Sequence, residues 1–481
     1  MSRVSSEPPS SSPFASASAP AVDVPLPGLW KLTWPLLVSL GLSLSLHFTD
    51  AFFLSRISDA AAAAAGAINP LLGTTIVLFS AVGQAGASVA GRLLAAGRHQ
   101  ELPRTYLALL AFNAVAGVVV SAVLLLLSPF VPAWLGLRGA AAESAQTYLA
   151  VMGGFQFLKA IQLAYGNILN SRAQTRWVMV EAIATNVANI GLNLALLHGL
   201  FGLKQSVGAI AGVTVIALLL GMMFTIAVVH RRLGVRFPRR TSFKELRAAL
   251  RPVLSIGLPS ASEPVVYQGA QITISLLVIS LGATALATRT YVLSFVTVSS
   301  VLLSIALGVG TQIAISHRIG AGRLEEANAQ LYRALLYAVS GSGAIALLLA
   351  FFHRPLLGLL TEDPEIVRQA APLFALGVLV EMGRAVNIVA GGALRSSGDA
   401  KFTALVGGSL MWALGVSSAY LFGGALGWGL TGVWMAMALD ETVRGFVNYR
   451  RWRSGRWRSL SALGPATSSS NPPASVGDAT A

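Results

Sequence analysis

Twelve stretches of about twenty or more mostly apolar residues, separated by short polar blocks, constrain this chain more than any other feature. A helix crossing hydrocarbon needs roughly 20 apolar residues. The pattern predicts helices near 29–54, 65–90, 105–128, 143–169, 177–199 and 207–230, then near 252–280, 285–313, 331–352, 366–394, 402–422 and 427–449. Only 11% of the 481 residues are charged, against about 25% in soluble domains. Lipid is therefore the expected solvent, and the expected class is an all-α polytopic membrane protein. With no cysteine in the chain, disulfides, thiol nucleophiles, iron–sulfur clusters and Cys-type zinc sites are excluded.

The net charge of +15 raises the question of nucleic acid, and its distribution answers it. Arg92, Arg98 and Arg104 lie around one inter-helix block, Arg172 and Arg176 around the next but one. The segment HRRLGVRFPRRTSFKELRAALRP at 230–252 is the third basic block. Arg318, Arg323 and Arg333, then Arg395 and Lys401, then NYRRWRSGRWR at 448–458 continue the alternation. The intervening loops carry few: Arg56, Arg138, Lys204, Arg354 and Arg368. Basic residues gathered on alternate loops follow the positive-inside rule, so both termini are expected in the cytoplasm. No basic domain stands apart from the helices, so no nucleic-acid partner is expected.

Residues 1–27 are rich in Ser, Pro and Ala without an apolar run, as are 459–481. They read as disordered cytoplasmic tails, the second beginning with a basic stretch from 454. Between the tails, residues 28–230 form a first lobe of six helices and 252–453 a second. Residues 231–251 link them, with a short amphipathic helix expected over Ser242 to Arg251. The lobes repeat one another. Gly97-Arg98 recurs as Gly322-Arg323, and Leu169-Asn-Ser171 as Leu394-Arg-Ser396, both 225 residues on. The same offset pairs Lys159 with Arg384 and Gln156 with Glu381, and Trp34-Pro35 precedes Leu258-Pro259 by 224. Two parallel six-helix repeats predict twelve transmembrane helices in two pseudo-symmetric bundles around a central cavity.

At these motifs the chain resembles the multidrug and toxic compound extrusion (MATE) family. The resemblance rests on LTWPLLVSLGLSLSLHFTDAFFLSRIS in the first helix, LLAAGR and RIGAGR after the second and eighth, and GLPSASEP in the seventh. GGALRSSGDAKF after the tenth and ALDETVRGFVNYRRWRSGRW at the end complete it. It covers about 28–458. It implies two bundles in a V, alternating access, and export of organic molecules against sodium or proton entry.

A charge at the bilayer centre costs about 2.5–3.5 kcal/mol on insertion scales, so each intramembrane polar group needs an explanation. Ser39, Ser43, His47 and Asp50 share one face of the first helix. Asp50 matches the acid that the family uses there for cation coupling; it is expected to take a proton or a sodium ion. The plainer reading is an acid at the helix end, solvated and paired with Arg56. His47, one turn away, is a candidate relay or a satisfied core histidine. Ser260, Glu263, Tyr267, Gln271 and Ser275 form a stripe on the seventh helix, with Pro259 and Pro264 flanking the acid. Proline removes a backbone hydrogen bond, and a break here would free carbonyls to help Glu263 hold a cation. Pro35 and Pro259 are the expected hinges.

On the tenth helix, Glu381 and Arg384 stand three apart and are expected either to neutralise each other or to serve separately. In the second case Glu381 joins the coupling groups, while Arg384 and Lys159 face the cavity and favour anionic or zwitterionic cargo. Tyr267, Gln271, Asn186 and Asn189 are further cavity candidates, and Asn193 is expected to bond across helices. Asp440 and Arg444 are expected to pair near the cytoplasmic face, and Arg289 to line the cavity or snorkel outward.

Together these features predict a monomeric secondary antiporter of a bacterial inner membrane, exporting small organic cargo for H+ or Na+. No cofactor, no resident metal and no enzymatic activity are expected. There is no GxxxxGK[ST] phosphate loop and no HExxH, which argues against direct ATP drive and a zinc hydrolase. A flippase for lipid-linked sugars is the alternative of similar architecture.

Overall fold

In a computed structural model, residues 26–200, 202, 204–238 and 240–461 are described. Twelve long helices follow in chain order: α1 (Leu29–Ser55), α2 (Asp59–Ala95), α3 (Leu102–Leu127), α4 in two pieces (Ala140–Gly154 and Gln156–Ser171), α5 (Thr175–Leu197) and α6 (Val207–Arg232). The second half holds α7 (Phe243–Ser280), α8 (Ala283–Gly320), α9 (Leu324–Phe351), α10 (Pro364–Ser397), α11 (Ala400–Ala425) and α12 (Gly429–Arg453). Among the described residues, nine of these helices are long and apolar enough to cross a membrane. The others are α4, which Phe155 interrupts, and the more polar α7 and α12. Leu126, Phe351 and Leu405 are 72%, 79% and 73% exposed; such side chains suit hydrocarbon contact and would be a liability in water.

Local chemistry sets the helix ends. The Ser58 hydroxyl accepts from the Ala61 amide at 3.1 Å to start α2. Ser242 and Glu245 form a reciprocal capping box at the start of α7, which satisfies orphan amides from both sides. That box moves the seventh helix well into the expected linker. The surface helix predicted over Ser242 to Arg251 is instead the first part of α7. The expected tails at 1–27 and from 459 fall mostly outside the described residues. Within 454–461, Trp457 is buried and stacks on Trp452, ring centroids 4.1 Å apart.

The internal repeat survives in hydrogen-bond detail. The Arg98 amide donates to the Leu93 carbonyl at 2.9 Å, and the Arg323 amide to that of Arg318 at 2.8 Å. Gly97 and Gly322 take φ of 73° and 75°, the left-handed turn that glycine adopts without steric cost. Likewise Gln174 donates to Leu169 at 3.0 Å, and Asp399 to Leu394 at 2.9 Å.

No helix is interrupted at an expected hinge. α1 runs through Pro35, and α7 through Pro252, Pro259 and Pro264. The irregular turns lie elsewhere: at Phe155, and in π-helical stretches at Val228–Arg232, Thr297–Val301, Met411–Val416 and Tyr420–Ala425. A π turn commonly marks a functional segment, and Thr297–Val301 passes beside Glu381 through Ser300.

Among the described residues, the buried clusters shared by the two halves lie at one end. At the end bearing the basic loops, buried clusters are shared between them. Val82, Leu93 and Leu169 pack with Val253, Ile256 and Ala400, and Leu32 and Leu36 of α1 with Ala306 and Ala314 of α8. At the other end each half keeps its own core. Leu54, Ile68, Tyr148 and Leu196 belong to one, Val278, Phe374, Leu430 and Trp434 to the other. The shared seam is close. A Cβ on Gly320 would stand 2.2 Å from the Arg92 carbonyl oxygen, and one on Gly91 2.8 Å from Ser316 Oγ.

Gly320→Ala is therefore expected to hinder closure of this end. With no native cysteine to interfere, oxidative cross-linking of a Leu32→Cys, Ala314→Cys pair, drawn from one shared cluster and leaving the seam glycines in place, reports closure directly. The added methyl group should lower its yield several-fold, whereas an unchanged yield would mean that the seam tolerates the Cβ.

Candidate functional site

Asp50 lies five residues before the end of α1, inside the first half. It is 1% exposed. Thr214 on α6 donates its hydroxyl to Asp50 Oδ1 at 2.7 Å. Asn189 on α5 donates to the Thr214 oxygen at 2.9 Å and more distantly to Asp50 Oδ1 at 3.4 Å. Asn193 donates to Asn189 Oδ1 at 3.3 Å, and Tyr148 on α4, a Coulombic neighbour of Asp50, to Asn69 Oδ1 on α2 at 3.2 Å. Both donors to Asp50 converge on one oxygen. Its Oδ2 is buried without a protein partner, and so is Asn193 Oδ1. A buried carboxylate oxygen left unsatisfied is costly, and a proton or a cation would relieve it. The solvated acid paired with Arg56 is not what is seen: the Arg56 guanidinium lies over Phe52, 5.2 Å from the ring centroid.

Deeper in this half lies a second polar group. Lys159 on α4 is partly buried. It lies within Coulombic range of His47 and of Glu181 on α5, but no hydrogen bond or ion pair holds it among the described residues. Glu181 Oε1 accepts from Gln162 Nε2 and, at 2.8 Å, from Thr185 Oγ1. His47 Nδ1 and Asn186 Oδ1 are buried without partners, and Asn186 Nδ2 donates to the Ala182 carbonyl at 2.9 Å.

The second half treats its charges differently. Arg384, 9% exposed, donates to Glu381 Oε1 at 2.6 Å and to Glu441 Oε1 on α12 at 3.1 Å. Asn387 donates to the other Glu441 oxygen at 2.9 Å, and Asn448 to Asn387 at 3.0 Å. Arg444 binds Asp440 through two bonds, 2.9 and 2.5 Å, and lies 3.2 Å from Glu441. Arg384 is thus a doubly paired guanidinium inside the half. Of the two readings, in which Arg384 and Lys159 face the cavity from both halves or Arg384 and Glu381 neutralise each other, the pairing is what is seen, enlarged by Glu441. Asp440 and Arg444 do pair, but near the middle of α12. Three carboxylates face two guanidiniums here, and Glu381 Oε2 is buried without a partner.

Glu263 lies within Coulombic range of Arg444 but bonds outside that network. Arg395 Nη1 donates to Glu263 Oε2 at 3.1 Å, and the acid packs against Gly407 of α11, whose absent Cβ makes room for it. Arg289 on α8 points inward. It donates to Ser275 Oγ at 2.9 Å and Gln271 Oε1 at 3.0 Å, and Tyr267 is its Coulombic neighbour. Gln271 is thereby occupied in holding Arg289.

Sequence reasoning singled out neither Glu181 nor Glu441, although the cost of an intramembrane carboxylate flags both. Thr214 and Tyr148 carry no comparable signal, since one hydroxyl in an apolar helix is unremarkable.

A duplicated, wholly helical fold with charged groups sequestered between helices defines a multi-pass membrane transporter. The MatE family model matches residues 35–195 and again 259–421, one match per half, and the chain belongs to this family of multidrug and toxic compound extrusion transporters. The relative "Uncharacterized transporter YisQ" of Bacillus subtilis is 32% identical over 430 residues, 89% of this chain and 94% of its own. "Probable multidrug resistance protein NorM" of Pseudomonas aeruginosa is 29% identical over 91% of both chains. Among solved structures, the Vibrio cholerae MATE transporter VcmN in its bent form superposes with a TM-score of 0.82 at 17% identity, covering 90% of this chain and 97% of that one. The fold and the transporter class follow from these likenesses; cargo and coupling ion do not.

Arg384→Met leaves two buried carboxylates facing each other, a loss that typically costs about 3–5 kcal/mol. The detergent-solubilised variant should melt well below the native protein, and adding Glu441→Gln should restore part of the difference. Equal melting temperatures for all three would show that the network adds nothing to stability.

Proposed function

We propose that this chain is a secondary active antiporter that exports organic molecules against entry of H+ or Na+ by alternating access. The observation that carries the coupling assignment is Asp50: buried, bonded through one oxygen and unsatisfied at the other. Proton binding at Oδ2 removes the charge. A sodium ion there would neutralise it, and Asn193, which donates to Asn189 of the cage, carries a second buried oxygen without a partner. Either event changes how α1, α5 and α6 pack around the acid.

The basic-loop end is assigned to the cytoplasm of a bacterial inner membrane, with both termini on that side. In that orientation the halves are sealed inside and parted outside, and a cation reaches Asp50 from the outer face. A membrane potential contributes about 2.3 kcal/mol per charge per 100 mV, enough for a concentration ratio of roughly fifty. Glu381, with Ser300 beside it, is a group of the second half able to take a proton. Glu263 holds α7 to α10 through Arg395 and is assigned a structural part. The transporter is taken to act as a monomer, with no cofactor beyond the coupling ion.

Asp50→Asn is expected to abolish efflux driven by an imposed sodium or proton gradient in proteoliposomes, while dye counterflow persists. Glu263→Gln, which keeps a hydrogen-bonding partner for Arg395, should stay within about threefold of the native rate. Gradient-driven efflux intact in Asp50→Asn would refute the coupling assignment.

A further inference from the structure

Arg92 lies three residues before the end of α2, in the seam between the halves, and takes no part in the coupling cage or in the charge network of the second half. It is 5% exposed. Its backbone runs against Gly320, the last residue of α8, where a Cβ would stand 2.7 Å from Arg92 Cα. Its side chain reaches across to Gly398, which caps α10 in the left-handed region with φ of 102°. A Cβ there would stand 3.9 Å from Arg92 Nη1 and 3.0 Å from the carbonyl oxygen of Leu460, beyond α12. The segments that end α8, α10 and α12 thus form a socket for one side chain of the first half.

Nothing in the socket neutralises the guanidinium. No carboxylate pairs with Arg92 among the described residues, and its Nε is buried without a partner. Asp399, the acid next to Gly398, is taken by Arg451 through bonds of 2.7 and 3.3 Å. Arginine stays charged at any physiological pH, so Arg92 cannot escape the cost by releasing a proton. The repeat supplies a contrast. The 225-residue offset carries Arg92 onto His317 of α8, which also lies in the seam, its Cε1 3.2 Å from where a Cβ on Gly91 would stand. His317 Nδ1 donates to the Ile313 carbonyl at 2.8 Å, and its Nε2 is buried without a partner; a neutral ring with one proton meets that geometry. One half therefore places a group that can be neutral in the seam, and the other a permanent charge. Arg384 and Arg444, by comparison, are paired inside a single half, so their pairing does not depend on how the halves stand.

We propose that Arg92 is a spring at the basic-loop end: its guanidinium loses water each time the seam closes, gains no compensating anion, and so drives this end back open. An uncompensated buried charge destabilises the state that buries it, which here is the closed seam and not the fold of either half. The bias follows whatever the cargo or the coupling ion. Taken with the export reading, on which this consequence alone rests, it hastens the return to the state open on that side once the coupling site empties.

A single thiol reads the seam. Ser316 is 1% exposed and lies beside Gly91, and with no native cysteine a Ser316→Cys protein in nanodiscs reacts with N-ethylmaleimide at a rate set by opening of this end. Adding Arg92→Gln or Arg92→Met should slow that alkylation about tenfold. Arg92→Lys, which keeps a charge, should leave it within about twofold of the Ser316→Cys rate. Alkylation unchanged or faster in either neutral variant, through opening or through unfolding, means that the guanidinium does not resist closure and overturns the spring. Equal slowing in Arg92→Lys overturns it too, since shape and not charge would then be responsible. Gradient-driven efflux by the Ser316→Cys protein keeps the export reading separate: efflux present with alkylation indifferent to Arg92 removes the spring alone.

Discussion

The expense of holding charge away from water governs this molecule. Each ionisable side chain inside the bundle must be paired, hydrogen-bonded or kept for a partner from outside. The two halves share one ancestral pattern of helices and turns, down to the matched bonds that close α2 and α8. They resolve the charge problem in different ways. In the second half, Glu381, Arg384, Asp440, Glu441 and Arg444 bind one another. In the first, Asp50 is left half satisfied, and Lys159 forms no ion pair among the described residues.

That asymmetry suits a division of labour between similar bundles. A dense web of short ion pairs is rigid, because moving any member exposes another to hydrocarbon. A carboxylate with one unmet oxygen sits in a cage whose packing depends on what fills it. The cage is assembled from three helices, with Asp50, Asn189 and Thr214 contributed by α1, α5 and α6, and Tyr148 of α4, bonded to Asn69 of α2, lies within Coulombic range of the acid. A local event at one oxygen is therefore felt by most of the half.

Much of this was legible in the residues. Twelve apolar runs, alternate basic loops and the 225-residue offset give the helices and their duplication, since each depends only on local composition and spacing. Asp50 was legible because a lone acid in an apolar helix has few explanations. Partner choice was not. Glu263 and Arg395 are 132 positions apart and Arg384 and Glu441 are 57 apart, and nothing along the chain announces which guanidinium meets which carboxylate. Pro259 can be housed in a helix whose neighbours support it, and α7 runs unbroken through it, whereas the π turns of α8 and α11 lie in stretches without proline.

One helix spans both of these worlds. α1 carries Asp50 near one end and Leu29, Leu32 and Thr33 near the other, where they lie against α8 in the seam between halves. Seventeen positions separate Asp50 from Thr33, about 26 Å of helix that runs without a loop and passes through Pro35. α1 is thus a strut. A tilt imposed at the caged acid arrives at the far contact with its lever arm intact, so occupancy of a single oxygen has a mechanical route to the opposite side of the membrane.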